Sequence, residues 1–180
     1  MKNSNSAQVI IIGGGLAGLC SAIHLSGKGV SVLLIEKNEY PRHKVCGEYV
    51  SNETLPYLAS LGIDPFELGA LRIEELDFVA PDGSSMRTEL PLGGFGLSRY
   101  SLDHALMKKA TANGARIITG QVDRVEFEQG RFSISNRNGD VFHADFVIGA
   151  HGKRSLLDRR LDREFIKKKS SYVAVKAHFT

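Results

Sequence analysis

The residues of this chain that could do chemistry begin with closely spaced glycines in the run IIGGGLAGL. Gly13, Gly15 and Gly18 fit the pattern G-x-G-x-x-G. In that pattern the first glycine permits a tight turn, the second lets a pyrophosphate approach the main chain, and the third lets a helix pack closely on a strand. The N–H groups of Leu16 and Ala17, at the start of that helix, then face the phosphates. The spacing therefore predicts a dinucleotide-binding site.

An acidic residue follows at the distance that ribose recognition requires. Glu36 lies eighteen residues after Gly18, where its carboxylate can accept hydrogen bonds from ribose hydroxyls. Its negative charge disfavours the 2′-phosphate of NADP, although Lys37 beside it weakens that inference. From these residues alone, NAD and FAD both fit.

The next chemistry-bearing segment is a cationic loop, YPRHKVCGEYVS. Arg42, with His43 and Lys44, either closes over the dinucleotide from the other side or forms an ordinary solvated loop. Cys46, followed by Gly47, either lies at the cofactor's edge or packs as a small apolar residue, and composition alone favours packing.

The elements that must position these residues form a βαβ unit. Apolar runs predict buried strands over Val9–Ile12 and Val30–Ile35. Apolar residues at helical spacing between them predict a helix from Leu16 that ends near Gly27 and Gly29.

The segment after this unit does not continue the βαβ pattern. Ser51–Leu61 predicts an amphipathic helix whose leucines face the core. Arg72–Pro81 and Met86–Leu90 predict a β-hairpin around a Pro-Asp-Gly turn. These strands indicate an inserted second region.

The nucleotide-binding pattern then resumes. Ser101 is the predicted N-cap of a helix that ends at Gly114, and Arg116–Thr119 predicts a third buried strand. Turn dipeptides at 129–130 and 138–139 then predict a meander of three strands.

With this order of elements, the sequence resembles the flavoprotein group of p-hydroxybenzoate hydroxylase, including its geranylgeranyl reductase and FAD-dependent halogenase relatives. The runs PRHKVCGEYVS and LSRYSLDHALMKKA carry the discriminating part of the resemblance, and the first points to the reductase-like branch. The resemblance implies an α/β, Rossmann-like FAD-binding fold with a three-stranded β-meander and an incomplete β-rich substrate region. We expect residues 7–70 and 97–155 to form the FAD-binding domain, and 71–96 and 156–180 the partial substrate domain.

The resemblance also implies where the cofactor would lie. FAD, rather than NAD, would occupy the crevice at Gly13–Gly18, with Glu36 on the adenosine ribose. Arg42 and Arg99 would follow the pyrophosphate and the ribityl chain, because a guanidinium suits phosphate geometry.

Three further positions take a role from the resemblance. Cys46 and Gly47 would approach the isoalloxazine or the substrate, which reverses the expectation from composition. The main chain of Val122, at the start of the meander, would reach the adenine.

The second glycine turn departs from the family pattern. Relatives usually have Gly-Ala-Asp-Gly, where this chain has Gly149, Ala150, His151 and Gly152. A neutral imidazole accepts a hydrogen bond through one ring nitrogen only. Cofactor affinity could therefore vary with pH, or His151 is a tolerated turn residue, which is the interpretation we favour.

The last residues, SSYVAVKAHFT, alternate as a half-buried strand does. Members of the resembling family continue with the rest of the substrate sheet and a further Gly-Asp motif. We therefore expect this chain to be an inactive fragment or a naturally shortened form.

The resemblance implies an FAD-dependent oxidoreductase, with a reductase acting on a hydrophobic or isoprenoid-like small molecule as the main hypothesis. The alternatives are an aromatic-hydroxylase-type monooxygenase or a halogenase and, from another class, a non-catalytic module that binds NAD or ADP. NAD(P)H is a candidate transient electron donor, because no second glycine fingerprint marks a separate site. No catalytic acid or base stands out.

Composition limits the partners and the location of this 180-residue chain. Cys20 and Cys46 form neither a disulfide framework nor a metal-ligand spacing, so we expect no metal site and a reducing, cytoplasmic setting. The net charge of +3 does not indicate nucleic-acid binding, and we expect no such partner. No apolar run approaches the about 20 residues of a spanning helix, so membrane contact would be peripheral and tied to a lipid-like substrate.

Overall fold

The computed structural model describes residues 5–152, 156–167, 172, 173 and 175. Helices and strands follow one another along these ranges in the order β1 Ser6–Ile12, α1 Leu16–Gly27, β2 Val32–Glu36, β3 Tyr49–Ser51, a 3₁₀ turn Asn52–Thr54, α2 Leu55–Ser60, β4 Leu71–Val79, β5 Ser85–Gly96, α3 Arg99–Ala112, β6 Arg116–Thr119, β7 Val122–Glu128, β8 Arg131–Asn136, β9 Val141–Gly149, α4 Leu156–Arg160 and a 3₁₀ turn Glu164–Lys167. The strand predicted over 170–180 lies outside the described residues, apart from three isolated positions.

A six-stranded sheet with the order β6-β2-β1-β9-β8-β7 organises the fold. Strands β6, β2, β1 and β9 are parallel, whereas β9, β8 and β7 form an antiparallel meander. A smaller antiparallel sheet has the order β3-β5-β4. The predicted α/β fold with a Rossmann-like sheet, a three-stranded meander and a second β-rich region is confirmed.

From Val9 onward β1 is buried on both faces, and so is the whole of β2. Ile11 and Leu34 pack into the cluster formed with α1 and α3, whereas Ile10 and Leu33 pack into the cluster formed with the meander. All four side chains are fully buried. A strand covered on both faces has a continuous apolar sequence, which is why both strands could be recognised from sequence.

The third parallel strand was predicted to be buried, and that prediction is wrong. β6 lies at the edge of the sheet, where Arg116 and Thr119 are exposed and only Ile117 and Ile118 are partly covered. A short apolar run does not reveal whether a strand has one neighbour or two.

Helix α3 begins earlier than predicted. Ser98, and not Ser101, is the N-cap, because the Ser98 hydroxyl accepts a hydrogen bond from the Ser101 N–H at 3.2 Å. Both serines satisfy the N-cap preference, so residue type alone could not choose between them. As a result Arg99 lies in the first helical turn, four residues before Asp103.

β1 begins three residues earlier than predicted, at Ser6. Two other boundaries differ for local reasons. β2 begins two residues later than predicted, because the Val30 N–H donates to the Leu25 carbonyl and closes the end of α1. The helix predicted over Ser51–Leu61 is divided into the end of β3, a 3₁₀ turn and the short α2, which has Pro56 near its start.

The predicted hairpin is confirmed, although β5 extends to Gly96 and pairs with β3 as well as β4. Strand β3 comes from the range 7–70 yet lies in the smaller sheet. The division into two domains stays a prediction.

Candidate functional site

The carboxyl ends of the parallel strands surround a cavity of about 280 Å³. Ile12 and Glu36, the last residues of β1 and β2, line it, as do Gly120 after β6 and Ala150 after β9. β1 continues through α1 into β2 on one side and lies beside β9 on the other. Ligands of open α/β sheets bind in a crevice at such a switch point.

Eight of the predicted site residues line this cavity: Gly13, Gly15, Glu36, Lys37, Arg42, Val122, His151 and Gly152. The cavity is also lined by residues to which the sequence interpretation gave no separate role: Ile12, Ile35, Lys44, Gly120, Gln121, Ala150 and Leu157. Lys44 could be seen as part of the cationic loop, whereas Gly120 and Gln121 have no distinguishing residue type.

The glycines of the first turn differ in their surroundings. Gly13 has φ +104°, and a β-carbon there would lie 2.6 Å from the His151 α-carbon, so the turn needs glycine. A β-carbon on Gly18 would overlap the Gly13 carbonyl oxygen. At Gly15 the nearest atom to such a carbon is Lys44 Nζ, at 3.8 Å. The space beside Gly15 is therefore open toward the cavity.

Helix α1 begins at this open space, and no side chain caps its first residue. The main-chain N–H groups of Leu16 and Ala17 lie in the first turn, where an α-helix provides no acceptors of its own. The helix dipole adds partial positive charge at the same place. Although the Leu16 and Ala17 side chains do not line the cavity, their main chain is suited to bind an anion.

Glu36 is buried at the end of β2, and groups of this chain already bind its carboxylate. Oε2 accepts a hydrogen bond from the Gly14 N–H at 2.6 Å. Oε1 accepts from the Asn38 N–H at 3.1 Å and from Arg42 Nη2 at 2.8 Å. Glu36 therefore fixes the glycine turn and the cationic loop relative to β2, a role that the spacing pattern did not predict. Its contact with a ribose stays a prediction.

Arg42 lines the cavity and carries one buried donor that no described residue binds. Its Nη2 pairs with Glu36, whereas its buried Nε has no hydrogen-bond partner among the residues that the structure describes. A buried N–H without an acceptor costs free energy. Because Arg42 also lines the cavity, its permanent positive charge fits a polar or anionic ligand there.

Asp103, on α3, is the centre of a buried ion cluster that the sequence interpretation missed. Arg99 donates from Nε and Nη2 to its two oxygens, at 2.8 and 3.0 Å. Lys44 Nζ lies 2.6 Å from Asp103 Oδ2. Burial lowers the pKa of Arg99, but the hydrogen bond and the charge of Asp103 outweigh it and hold that pKa above its usual value. The i,i+4 spacing of an arginine and an aspartate was the available signal.

Arg99, Cys46 and Gly47 do not line the cavity. The Cys46 sulfur accepts a hydrogen bond from the Glu48 N–H at 3.5 Å. It also lies beside the Arg99 guanidinium, whose pKa the interaction helps to raise. Cys46 is a half-buried free thiol. The predicted contacts of these residues with a cofactor stay predictions.

The second glycine turn lies next to the first. The Ala150 N–H donates to the Ile12 carbonyl at 2.8 Å, and Gly149, at the end of β9, does not line the cavity. His151 lines the cavity, and its Nδ1 lies 3.5 Å from a carboxylate oxygen of the buried Asp158 on α4. Gly152 completes the turn with φ +73°. Both interpretations of His151 stay open.

The residues around the cavity fit a dinucleotide. A glycine turn leaves the main chain open, a helix presents its uncapped N-terminus, and Arg42 and Lys44 bring cationic groups to the same space. These are the features that bind a pyrophosphate.

No helix in the described part of the chain is long and apolar enough to cross a membrane.

Proteins of known identity have related sequences. Menaquinone reductase of Mycobacterium tuberculosis is 28% identical over 194 residues, an alignment that covers 100% of this chain and 46% of the relative. Digeranylgeranylglycerophospholipid reductase 2 of Methanothermobacter thermautotrophicus is 32% identical over 165 residues, covering 87% of this chain and 42% of the relative. The chain thus spans less than half the length of these two relatives.

A solved structure and a family profile agree with the fold. The halogenase PltM in complex with phloroglucinol and FAD superposes with a TM-score of 0.73 at 22% identity, covering 87% of this chain and 36% of that chain. At this identity the likeness shows the fold alone. The sequence profile described as "FAD binding domain" matches residues 6–179. Because that match spans nearly the whole chain, the chain belongs to the FAD binding domain family, and its cofactor is FAD.

Proposed function

We propose that this protein is part of an FAD-dependent oxidoreductase that binds the cofactor's pyrophosphate at the cavity and reduces a hydrophobic, isoprenoid-like small molecule. The observation that carries the cofactor placement is the convergence of three features on one space. These are the open side of Gly15, the uncapped start of α1 and the cationic Arg42 side chain that lines the cavity.

Each group around the cavity has a defined task in this arrangement. The main chain at Gly15 and the first turn of α1 would bind the pyrophosphate, together with Arg42 and Lys44. Glu36 would accept hydrogen bonds from the adenosine ribose hydroxyls through the lone pairs that its contacts within the protein do not use. The main chain at Val122 would contact the adenine.

FAD itself would supply the redox chemistry, and the protein would bind it, orient it and exclude water. Cys46 and Arg99 interact with each other and do not line the cavity. We assign Arg99 to the pyrophosphate and ribityl chain and Cys46 to the isoalloxazine or substrate end. Gly47 would leave that end uncrowded, since a β-carbon there would meet no atom within 4 Å.

Reduction is favoured over oxygenation by the relatives. Two proteins matched in sequence are named as reductases of menaquinone and of a digeranylgeranylglycerophospholipid, both of which are isoprenoid compounds. The halogenase likeness supports the second candidate, a monooxygenase or halogenase, through the fold alone. A non-catalytic NAD or ADP module is the least favoured, because the family profile is that of an FAD binding domain.

The finer statements on partners and location belong to the same proposal. The substrate is a small molecule, NAD(P)H is the transient electron donor, nucleic acid is no partner, and a lipid-like substrate would bring the protein to a membrane surface. We propose a cytoplasmic location, since Cys20 and Cys46 are both free thiols.

The choice between reduction and oxygenation can be tested by the acceptor that reoxidises the bound flavin. The FAD-loaded protein is reduced with dithionite without oxygen and mixed with a naphthoquinone that carries an isoprenoid tail, or with a geranylgeranyl lipid. We expect flavin absorbance to return and the reduced acceptor to appear by mass spectrometry. In a parallel mixture that contains oxygen, a halide and a phenol, incorporation of oxygen or halide into the phenol would instead establish the second candidate. Cys46→Ala should slow the reaction with the isoprenoid acceptor and leave FAD affinity within about twofold.

A further inference from the structure

Three charged groups from two parts of the chain meet beside the cavity. Lys44 comes from the cationic loop, and Arg99 and Asp103 come from the first turns of α3. The Asp103 side chain is fully buried, whereas those of Lys44 and Arg99 are 18% and 17% exposed. Lys44 and Arg99 therefore share one buried acceptor, Asp103.

The geometry of the cluster restricts both cations. The two hydrogen bonds from Arg99 to the two Asp103 oxygens fix the plane of the guanidinium. Lys44 has a flexible four-carbon stem and a compact ammonium group, so the loop alone does not determine where its charge lies. The 2.6 Å contact with Asp103 Oδ2 does.

Asp103 holds the Lys44 ammonium at the open side of the glycine turn, beside Gly15. Lys44 Nζ lies 3.8 Å from the place of a β-carbon on Gly15 and lines the cavity. We infer that Asp103 is a positioning residue, which holds the Lys44 ammonium where the cofactor's pyrophosphate binds. The inference rests on the cofactor site proposed above.

The inference is testable because a model based on summed charge alone predicts the opposite effect on FAD binding when the Asp103 charge is removed. Asp103 reduces the charge of the cluster from two positive charges to one. If only the summed field attracted the pyrophosphate, removing the Asp103 charge would strengthen FAD binding. If the position of Lys44 matters more, the same change weakens binding, because two partly buried cations lose the acceptor that fixes them.

The experiment is a double-mutant cycle with the variants Asp103→Asn, Lys44→Met and the combination of both. FAD affinity is measured by quenching of flavin fluorescence, and folding without FAD by thermal melting followed by circular dichroism. Each single variant should weaken FAD binding about tenfold. The double variant should have about the same FAD affinity as the more weakly binding single variant, since both changes remove the same positioned ammonium. Asp145→Asn is the matched control, because it removes the same charge from an exposed strand position and should leave affinity unchanged.

Each outcome has one meaning. A wild-type protein that does not bind FAD overturns the proposed function and this inference together. If the wild-type protein binds FAD, unchanged or tighter binding by Asp103→Asn overturns the inference alone. Independent, multiplying effects in the double variant show that Asp103 does not act through Lys44, and they overturn it too. An Asp103→Asn chain that no longer melts cooperatively assigns the carboxylate a purely structural role, which also contradicts the inference.

Discussion

The hydroxyl of Tyr40 donates a hydrogen bond to the main-chain carbonyl of Gly14 at 2.5 Å. The N–H of the same glycine donates to Glu36 at 2.6 Å, so two side chains hold the middle residue of the turn from both sides. A β-carbon on Gly14 would overlap the Tyr40 hydroxyl. This contact explains a glycine that the pattern G-x-G-x-x-G does not require.

Tyr40→Phe tests this contact through the pH dependence of stability. Burial, followed by the negative charges of Glu36 and Asp103, holds the pKa of Tyr40 well above its ordinary value of 10.0. The folded chain therefore keeps a proton that the unfolded chain loses above pH 10, and the unfolding free energy falls there by up to about 1.4 kcal/mol per pH unit.

We expect Tyr40→Phe to remove the contribution of Tyr40 to the fall of the unfolding free energy above pH 10. At neutral pH the variant should lower the unfolding free energy by about 1 kcal/mol through the lost hydrogen bond. Urea denaturation at pH 7 to 11 measures both effects. Equal slopes for the variant and the wild type above pH 10 would show that Tyr40 is not shielded as the structure indicates.

Gly15→Val separates cofactor binding from folding. A side chain at this position extends into the open space beside the turn, where the pyrophosphate is proposed to bind. We expect the melting temperature without FAD to change little and FAD binding to be lost. Ala112→Val, at the exposed end of α3, is the control for added bulk. Retention of FAD by Gly15→Val would place the pyrophosphate elsewhere.

Gly18→Ala should affect folding itself. The added methyl group overlaps the Gly13 carbonyl oxygen, a main-chain atom that cannot rotate away, so α1 must shift from the turn. We expect the unfolding free energy without FAD to fall by about 3 kcal/mol, measured by urea denaturation. A loss below about 0.5 kcal/mol would mean that the helix does not pack this closely on β1.

Glu36→Gln tests whether the carboxylate organises the site before any ligand arrives. The amide would oppose one of the donors that now bind Glu36, leaving the Gly14 N–H or the Arg42 guanidinium without an acceptor. We expect a loss of about 1–3 kcal/mol in the unfolding free energy without FAD, together with weaker FAD binding. Glu39→Gln removes a neighbouring exposed charge and should be neutral. Equal stability of the two variants would restrict Glu36 to a role in ligand binding.

The parts of the fold that could be predicted from sequence are those with a local or periodic signal. β1, α1 and the meander turns follow from apolar runs, helical spacing and turn dipeptides, and all are confirmed. The edge position of β6 and the choice of Ser98 as N-cap depend on neighbours that are distant in sequence, and no local pattern carries that information.

The site likewise contains residues that a local sequence pattern predicts and residues that no local pattern predicts. Gly13, Gly15 and Glu36 line the cavity as expected, because their spacing reflects one continuous βαβ unit. The contact between Lys44 and Asp103 joins a loop to a helix across 59 positions of the chain. No local pattern predicts this contact, because it depends on where α3 lies relative to the loop in the folded chain.

The bound cofactor tests the central claim most directly. The protein is purified, incubated with FAD, separated from free flavin by gel filtration and denatured, and the released flavin is quantified by absorbance. We expect one FAD per chain for the wild type and none for Gly15→Val. A colourless wild-type protein that retains no FAD, but takes up NAD on titration, would contradict the account.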